Sequence, residues 1–202
     1  MVQSFNYYGI KSFFKVILDP KLAKPHLIVK DLRSIPFQKL YDSGIRFLAF
    51  DKDNCLTRPY ENKLYEPFEE SWRECKRIFS SENIVIVSNS IGTDSDFDMK
   101  DAKIVVDSLG VDVLQHKVKK PCCGEELIAH FESKIDSKQI SSMNKIQNDQ
   151  IAVIGDRLLT DIVFGNLYGF YTVYTRKVIS LKNDNLFAKY IRMLEHRFTS
   201  EK

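Results

Sequence analysis

The stretch Arg46-Phe47-Leu48-Ala49-Phe50-Asp51-Lys52-Asp53-Asn54-Cys55-Leu56-Thr57 runs from an apolar segment straight into two aspartates two residues apart. A short apolar run bounded by charge reads as a strand buried on both faces. Asp51 and Asp53 then occupy the loop at its carboxyl end. The arrangement recurs downstream. Ile84 to Val87 gives way to Ser88-Asn89-Ser90, and Val111 to Leu114 leads towards Lys117-Val118-Lys119-Lys120-Pro121. Ile151 to Ile154 is followed by Gly155-Asp156-Arg157 and then Thr160-Asp161, and Tyr171 to Tyr174 makes a fifth run. Between the runs, helices are predicted near 66–79, 98–108, 125–135 and 160–168, with a last one over 186–197. Strands alternating with helices form a parallel sheet covered on both faces, an α/β fold in three layers. In such sheets ligands bind beyond the carboxyl ends of the strands, so the residues after each run are expected to converge.

A chain of 202 residues has room for one such domain and a short extension. The domain is expected over 41–202 and the extension over 1–40. The net charge is +3, from 30 basic and 27 acidic residues, too small to imply nucleic acid. No basic strip interleaved with aromatics is tied to the sheet, so no nucleic-acid partner is expected. Cys55, Cys75, Cys122 and Cys123 form no C-x-x-C pair and follow no secretory signal, which predicts free thiols.

The residue types at the strand ends are those that phosphoryl transfer uses. Asp51 can attack phosphorus as a nucleophile and give an acyl phosphate. Asp53 can protonate the leaving oxygen and then deprotonate the hydrolytic water. Hard Mg²⁺ prefers oxygen ligands, which Asp51, Asp156 and a backbone carbonyl at Asp53 would supply. Ser88 can bind a phosphoryl oxygen, and Lys120 can neutralise developing charge. Each string alone has an ordinary explanation. A D-x-D pair is often a cap or a solvated turn, Ser88-Asn89 a turn, Lys120-Pro121 a surface loop, and Gly155-Asp156 a tight turn with a capping aspartate. Their order at successive strand ends argues for a shared site. The acidic stretch Asp94-Ser95-Asp96-Phe97-Asp98 lacks the glycine and the glutamate of a calcium loop, so it is expected to cap the following helix.

These four sets, Asp51/Asp53, Ser88, Lys120 and Asp156/Asp161, resemble the haloacid-dehalogenase-like phosphatase superfamily. The resemblance implies a Rossmannoid (haloacid-dehalogenase-like) domain, with Asp161 behind the metal ligands and with Asn89, Lys119 and Arg157 towards substrate. Asp53 matches the phosphatase branch. Cys55 departs from the threonine or valine common at that position. Lys120, directly before Pro121, matches the third motif best, with Lys119 and Lys117 as alternatives. The intervals from Asp53 to Ser88 and from Ser88 to Lys120 are too short for a cap domain. An open site suits a phosphomonoester displayed on something large.

The longer strings Phe50 to Leu56, Val87 to Ser90, His116 to Pro121 and Gly155 to Asp161 are similar to those of the mitochondrial phosphatidylglycerophosphate phosphatases of fungi and their bacterial relatives. The likeness extends upstream through Leu18-Asp19-Pro20-Lys21-Leu22-Ala23-Lys24-Pro25. It implies conversion of phosphatidylglycerophosphate to phosphatidylglycerol for cardiolipin synthesis, at the matrix face of the mitochondrial inner membrane. The amino terminus agrees with an anionic lipid partner. Lys11, Lys15, Lys21, Lys24, Lys30, Arg33 and Lys39 stand against Asp19 and Asp31 alone, and Phe5 to Leu18 plots as an amphipathic helix with Lys11 and Lys15 on its narrow polar face. Residues 1 to 30 are therefore expected to dock the domain peripherally. Packing of that helix on the domain is the alternative. A soluble sugar-phosphate phosphatase of the same fold and a catalytically silent membrane scaffold are the rival functions.

Overall fold

Phe47, Leu48, Ala49 and Phe50 are all buried, as a strand covered on both faces requires. The computed structural model describes residues 15–135, 145–177, 179 and 180. The predicted helix over 186–197 and most of the amphipathic segment from Phe5 lie outside them. Six strands are present: β1 (Leu27–Val29), β2 (Phe47–Phe50), β3 (Ile84–Ile86), β4 (Asp112–Val113), β5 (Ile151–Gly155) and β6 (Tyr171–Thr175). They form one parallel sheet in the order β1-β6-β5-β2-β3-β4. The helices between them are α1 (Phe37–Asp42), α2 (Glu69–Phe79), α3 (Lys100–Leu109), α4 (Gly124–Lys134) and α5 (Val163–Leu167). A turn of π-helix, Leu158–Ile162, leads into α5.

The strand order fixes where the helices go. Parallel crossovers are right-handed, so the direction of travel along the sheet selects the face on which a helix packs. From β1 to β2, β3 and β4 the chain moves one way, placing α1, α2 and α3 on one face. From β4 back to β5 and β6 it moves the other way, placing α4 and α5 on the opposite face. The core divides accordingly. Leu48, Phe50, Ile84, Ile86 and Ile154 pack with Leu40, Trp72, Cys75 and Val105, while Phe47, Ala49, Val85 and Val153 pack with Leu127, Phe131 and Phe164. Trp72 meets Phe50 edge-on at 5.3 Å between ring centroids and donates Nε1–H to Leu109 O at 2.9 Å. That bond ties α2 to the last turn of α3. Travel reverses beside β2, so the crevice between the carboxyl ends of β2 and β5 is the switch point where a ligand is expected.

The sequence boundary at residue 41 cuts through this unit. Residues 27–29 are an edge strand paired with β6, and Leu32, Ile35 and Phe37 are core side chains. Residues 20–26 are attached to this unit as well. Asn166 donates Nδ2–H to Leu22 O at 2.8 Å and Lys24 O at 2.9 Å, and His26 N–H donates to Thr172 O at 3.1 Å. These bonds hold residues 20–26 at the amino ends of β1 and β6, opposite the pole where the strand-end loops gather. Residues 15–18 are helical, with Ile17 and Leu18 exposed. No helix among the described residues is long and apolar enough to cross a membrane. Asp96 caps α3 as expected, accepting from Asp101 N–H and Ala102 N–H at 2.9 Å each.

Candidate active site

The loop after β2 is built around Asn54, which holds φ at 64°. Asparagine tolerates this left-handed backbone better than most side chains, which accounts for its place after the aspartates. Leu56 and Thr57 N–H both donate back to Lys52 O, at 2.9 and 3.0 Å, and close the turn. Asp51 stays in the ladder through its N–H to Ile154 O at 2.8 Å, so its carboxylate is carried by the sheet itself. Asp156 emerges one strand away, directly after Gly155.

One helical turn beyond, Asp161 folds back to the same place. Asp161 N–H donates to Arg157 O at 3.0 Å, Arg157 N–H donates to Asp161 Oδ2 at 3.1 Å, and Asp161 Oδ1 accepts from Lys120 Nζ at 2.6 Å. Gly155 makes room for it, since a Cβ there would fall 2.4 Å from Asp161 Cγ. Asp51, Asp156 and Asp161 each bring a carboxylate oxygen within 4.8 Å of the others. Three hard oxygens so placed fit a divalent cation of the magnesium or calcium kind and suit softer metals poorly. Asp161, expected behind the ligands, lies in one cluster with Asp51 and Asp156. The Asp53 carboxylate lies outside the cluster, and only its backbone carbonyl was expected to serve a metal.

Lys120 is the lysine of the third loop that reaches the carboxylates. Its Nζ lies 2.6 Å from Asp51 Oδ1 and 2.6 Å from Asp161 Oδ1, and the residue is buried, whereas Lys117 is exposed and Lys119 half-buried. Burial alone favours the neutral amine, but Asp161 and Asp51 outweigh it, and the ammonium's pKa is raised. Asp161 moves up as well, which is unusual for the acid of an ion pair. Burial pushes its carboxyl up to about 6; Lys120 opposes the rise, and the nearby Asp51 and Asp156 add to it. Lys120 is shared between Asp51 and Asp161, and a divalent cation would lower the repulsion that Asp51 and Asp156 add.

The residues expected to face phosphate are held as follows. Ser88 is buried, and its Oγ accepts from Ser90 and Ile91 N–H at 3.3 Å each. Asn89 Oδ1 accepts the Lys120 N–H at 2.8 Å, so this side chain braces the lysine loop. Arg157 is half-buried, and its backbone holds Asp161. Asp53 is half-buried at the edge, its Oδ1 accepting from Lys52 Nζ at 2.6 Å and Tyr60 N–H at 3.1 Å.

Two residues escaped the sequence reading. Lys52 is buried, and its Nζ also donates to Glu61 O at 2.7 Å, so it pins one oxygen of Asp53. The signal available was a lysine placed between two aspartates. His116 links the Ser88 and Lys120 loops, and its signal was the string in which it precedes the lysines. Cys55 is buried beneath the cluster. Burial, followed by Asp51, Asp156 and Asp161, pushes its thiol well up, so it remains a neutral filler where threonine or valine is common.

The family model for mitochondrial PGP phosphatases, where PGP is phosphatidylglycerophosphate, matches residues 7–180. The chain belongs to this family. It is 33% identical over 181 residues to the mitochondrial phosphatidylglycerophosphatase of Saccharomyces cerevisiae, covering 90% of this chain and 92% of the relative. It is 34% identical to the probable mitochondrial phosphatidylglycerophosphatase of Schizosaccharomyces pombe, covering 88% and 86%. Identity to the chloroplastic/mitochondrial phosphatidylglycerophosphate phosphatase 1 of Arabidopsis thaliana is 36%, over 96% of this chain and 52% of that one. Membership makes the chain an enzyme that cleaves phosphate.

Proposed function

We propose that the chain hydrolyses the terminal phosphomonoester of phosphatidylglycerophosphate to phosphatidylglycerol, through a phosphorylated Asp51, at the matrix face of the mitochondrial inner membrane. The observation that carries the mechanism is a difference in exposure. The Asp51 side chain is 14% accessible, whereas Asp156 and Asp161 are at 1% each. Of the three clustered carboxylates, a substrate can therefore reach Asp51. An oxygen of Asp51 attacks phosphorus, the phosphorus–ester oxygen bond breaks, and the departing alkoxide takes a proton from Asp53. Water then attacks the acyl phosphate while Asp53 takes its proton, releasing inorganic phosphate and restoring Asp51. Lys52 and the Tyr60 N–H hold Oδ1 of Asp53, which directs the proton to Oδ2. Ser88 and Lys120 meet the equatorial oxygens as charge builds on them. Mg²⁺ held by Asp51, Asp156 and Asp161 would offset repulsion between the phosphate and the carboxylates.

The substrate reading rests on the named relatives and on the openness of the site. The interval from Asp53 to Ser88 holds little beyond α2, and that from Ser88 to Lys120 holds α3 and β4, so neither interval carries anything of domain size. With purified protein and Mg²⁺, phosphate release from phosphatidylglycerophosphate in mixed micelles is expected to exceed that from phosphatidic acid, sugar phosphates and phosphopeptides by at least about tenfold, a discrimination of about 1.4 kcal/mol. Comparable turnover of the water-soluble esters would favour a sugar-phosphate phosphatase instead.

Peripheral docking through the basic amino-terminal segment belongs to the same proposal. Because β1 is part of the sheet, the truncation that tests it must stop short of residue 20 and so removes residues 1–18. The full chain is expected to co-sediment with anionic vesicles and the truncated chain to stay in the supernatant. Equal sedimentation of the two would discard the docking role.

A further inference from the structure

His116 is buried in the loop between β4 and α4, and its backbone N–H and both ring nitrogens are engaged. Its backbone N–H donates to Gly92 O at 3.0 Å. Ring Nε2 lies 2.8 Å from Ser88 O, and ring Nδ1 lies 2.7 Å from Val118 O. Both partners are carbonyl oxygens, which accept and never donate. The ring thereby lies within hydrogen-bond distance of backbone carbonyls on two different loops. The partners are not arbitrary parts of the chain. Ser88 opens the phosphate-binding loop after β3, and Val118 lies two residues before Lys120 on the next loop.

These contacts matter because Lys120 is a long side chain with an exacting task. Its Nζ spans two carboxylates at 2.6 Å each, from a backbone anchored by the bond from its N–H to Asn89 Oδ1. Asn89 adjoins Ser88. His116 and Asn89 thus close a ring of bonds that includes Ser88 and Lys120, and slack in that ring would move Nζ relative to the serine. Positioning errors of about 1 Å at a reacting centre can cost on the order of 10² in rate.

We infer that His116 is a positioning residue, which as a clamp between the two loops sets the distance between Ser88 and Lys120. The inference rests on the reading of those two residues as phosphoryl contacts. It is tested with orthovanadate, an analogue of the transferring phosphoryl group, in a double-mutant cycle with Mg²⁺ present. Lys120→Ala is expected to weaken vanadate binding by about 10². His116→Asn is expected to weaken it at least about tenfold in the otherwise natural chain, and by less than about twofold in the Lys120→Ala background. In steady-state assays with phosphatidylglycerophosphate micelles, His116→Asn lowers kcat and leaves KM within about twofold.

Equal weakening in both backgrounds, or none in either, overturns the clamp, because a simple brace of the fold adds independently. Undiminished vanadate binding by Lys120→Ala alone would instead remove the reading of the site on which the clamp depends. If His116→Asn does not fold, His116→Gln, whose longer amide reaches one of the two carbonyls, takes its place. Failure of both to fold would show that the residue serves stability, and the clamp falls.

Discussion

Asp51→Asn protein is expected to fold normally and to release phosphate at least about 10⁴-fold more slowly than the natural chain, the scale seen when a covalent nucleophile is removed. The substitution keeps size and shape, and the backbone bond from residue 51 to Ile154 O does not involve the side chain. It also removes one negative charge from a cluster in which Lys120 is shared between Asp51 and Asp161. Melting temperature in metal-free buffer should therefore stay level or rise, as is common where function is built at the expense of stability. Phosphate release read together with acid-quenched mass spectrometry checks both halves. Retained release, or phosphate trapped on another residue, would remove the aspartyl-phosphate mechanism.

Lys120→Ala should fail on both counts. Turnover is expected to fall by 10²–10³, roughly the cost of losing one donor to developing negative charge. Stability should fall too, because breaking a buried pair leaves uncompensated charge, at about 3–5 kcal/mol, or roughly 6–20 °C in Tm for a chain of this size. The pH dependence follows from Asp161, whose carboxyl lies near 6 in the folded chain against an ordinary 3.8. A folded pKa above the unfolded one means that the native state holds the proton more tightly. The penalty for the buried carboxylate is absent below about pH 4 and complete once pH has passed the folded value. Without the lysine that value climbs further. The Tm deficit of Lys120→Ala should thus be larger at pH 8 than at pH 5 in metal-free buffer, read by differential scanning calorimetry. A deficit independent of pH would mean that the lysine acts through packing alone.

The parts of the site legible in the sequence are those whose position follows from the chain itself. Asp51, Ser88 and Asp156 come directly after apolar runs, and a parallel sheet places such residues at one end whatever its strand order. Lys52 was not legible. A lysine between two aspartates reads as solvated, and only the turn made by Asn54 and Thr57 turns it inward onto Glu61 O and Asp53. His116 was hidden because its bonds run to carbonyl oxygens, which no side-chain pattern reports. Asp161 was recognised, but not how near it lies to Asp51 and Asp156. Its distance from Asp156 depends on the π-helical turn and on the missing Cβ of Gly155. Strand β1 went unread for a different reason. Three residues carry little signal, and their partner β6 is more than 140 residues away along the chain.

The chain joins its sheet at one pole, where Asn166 staples residues 22 and 24, and opens its carboxylates at the other. The five residues of β5 separate the two by about 17 Å. A body standing upright on its tethered pole would therefore hold its mouth clear of any flat surface beneath it. Rolled onto the β1 flank, where Lys24, Ile28, Lys30, Arg176 and Lys177 are exposed, root and mouth come to the same height. If the chain docks as proposed, attitude as much as affinity would decide whether a lipid headgroup can reach Asp51 without leaving its leaflet.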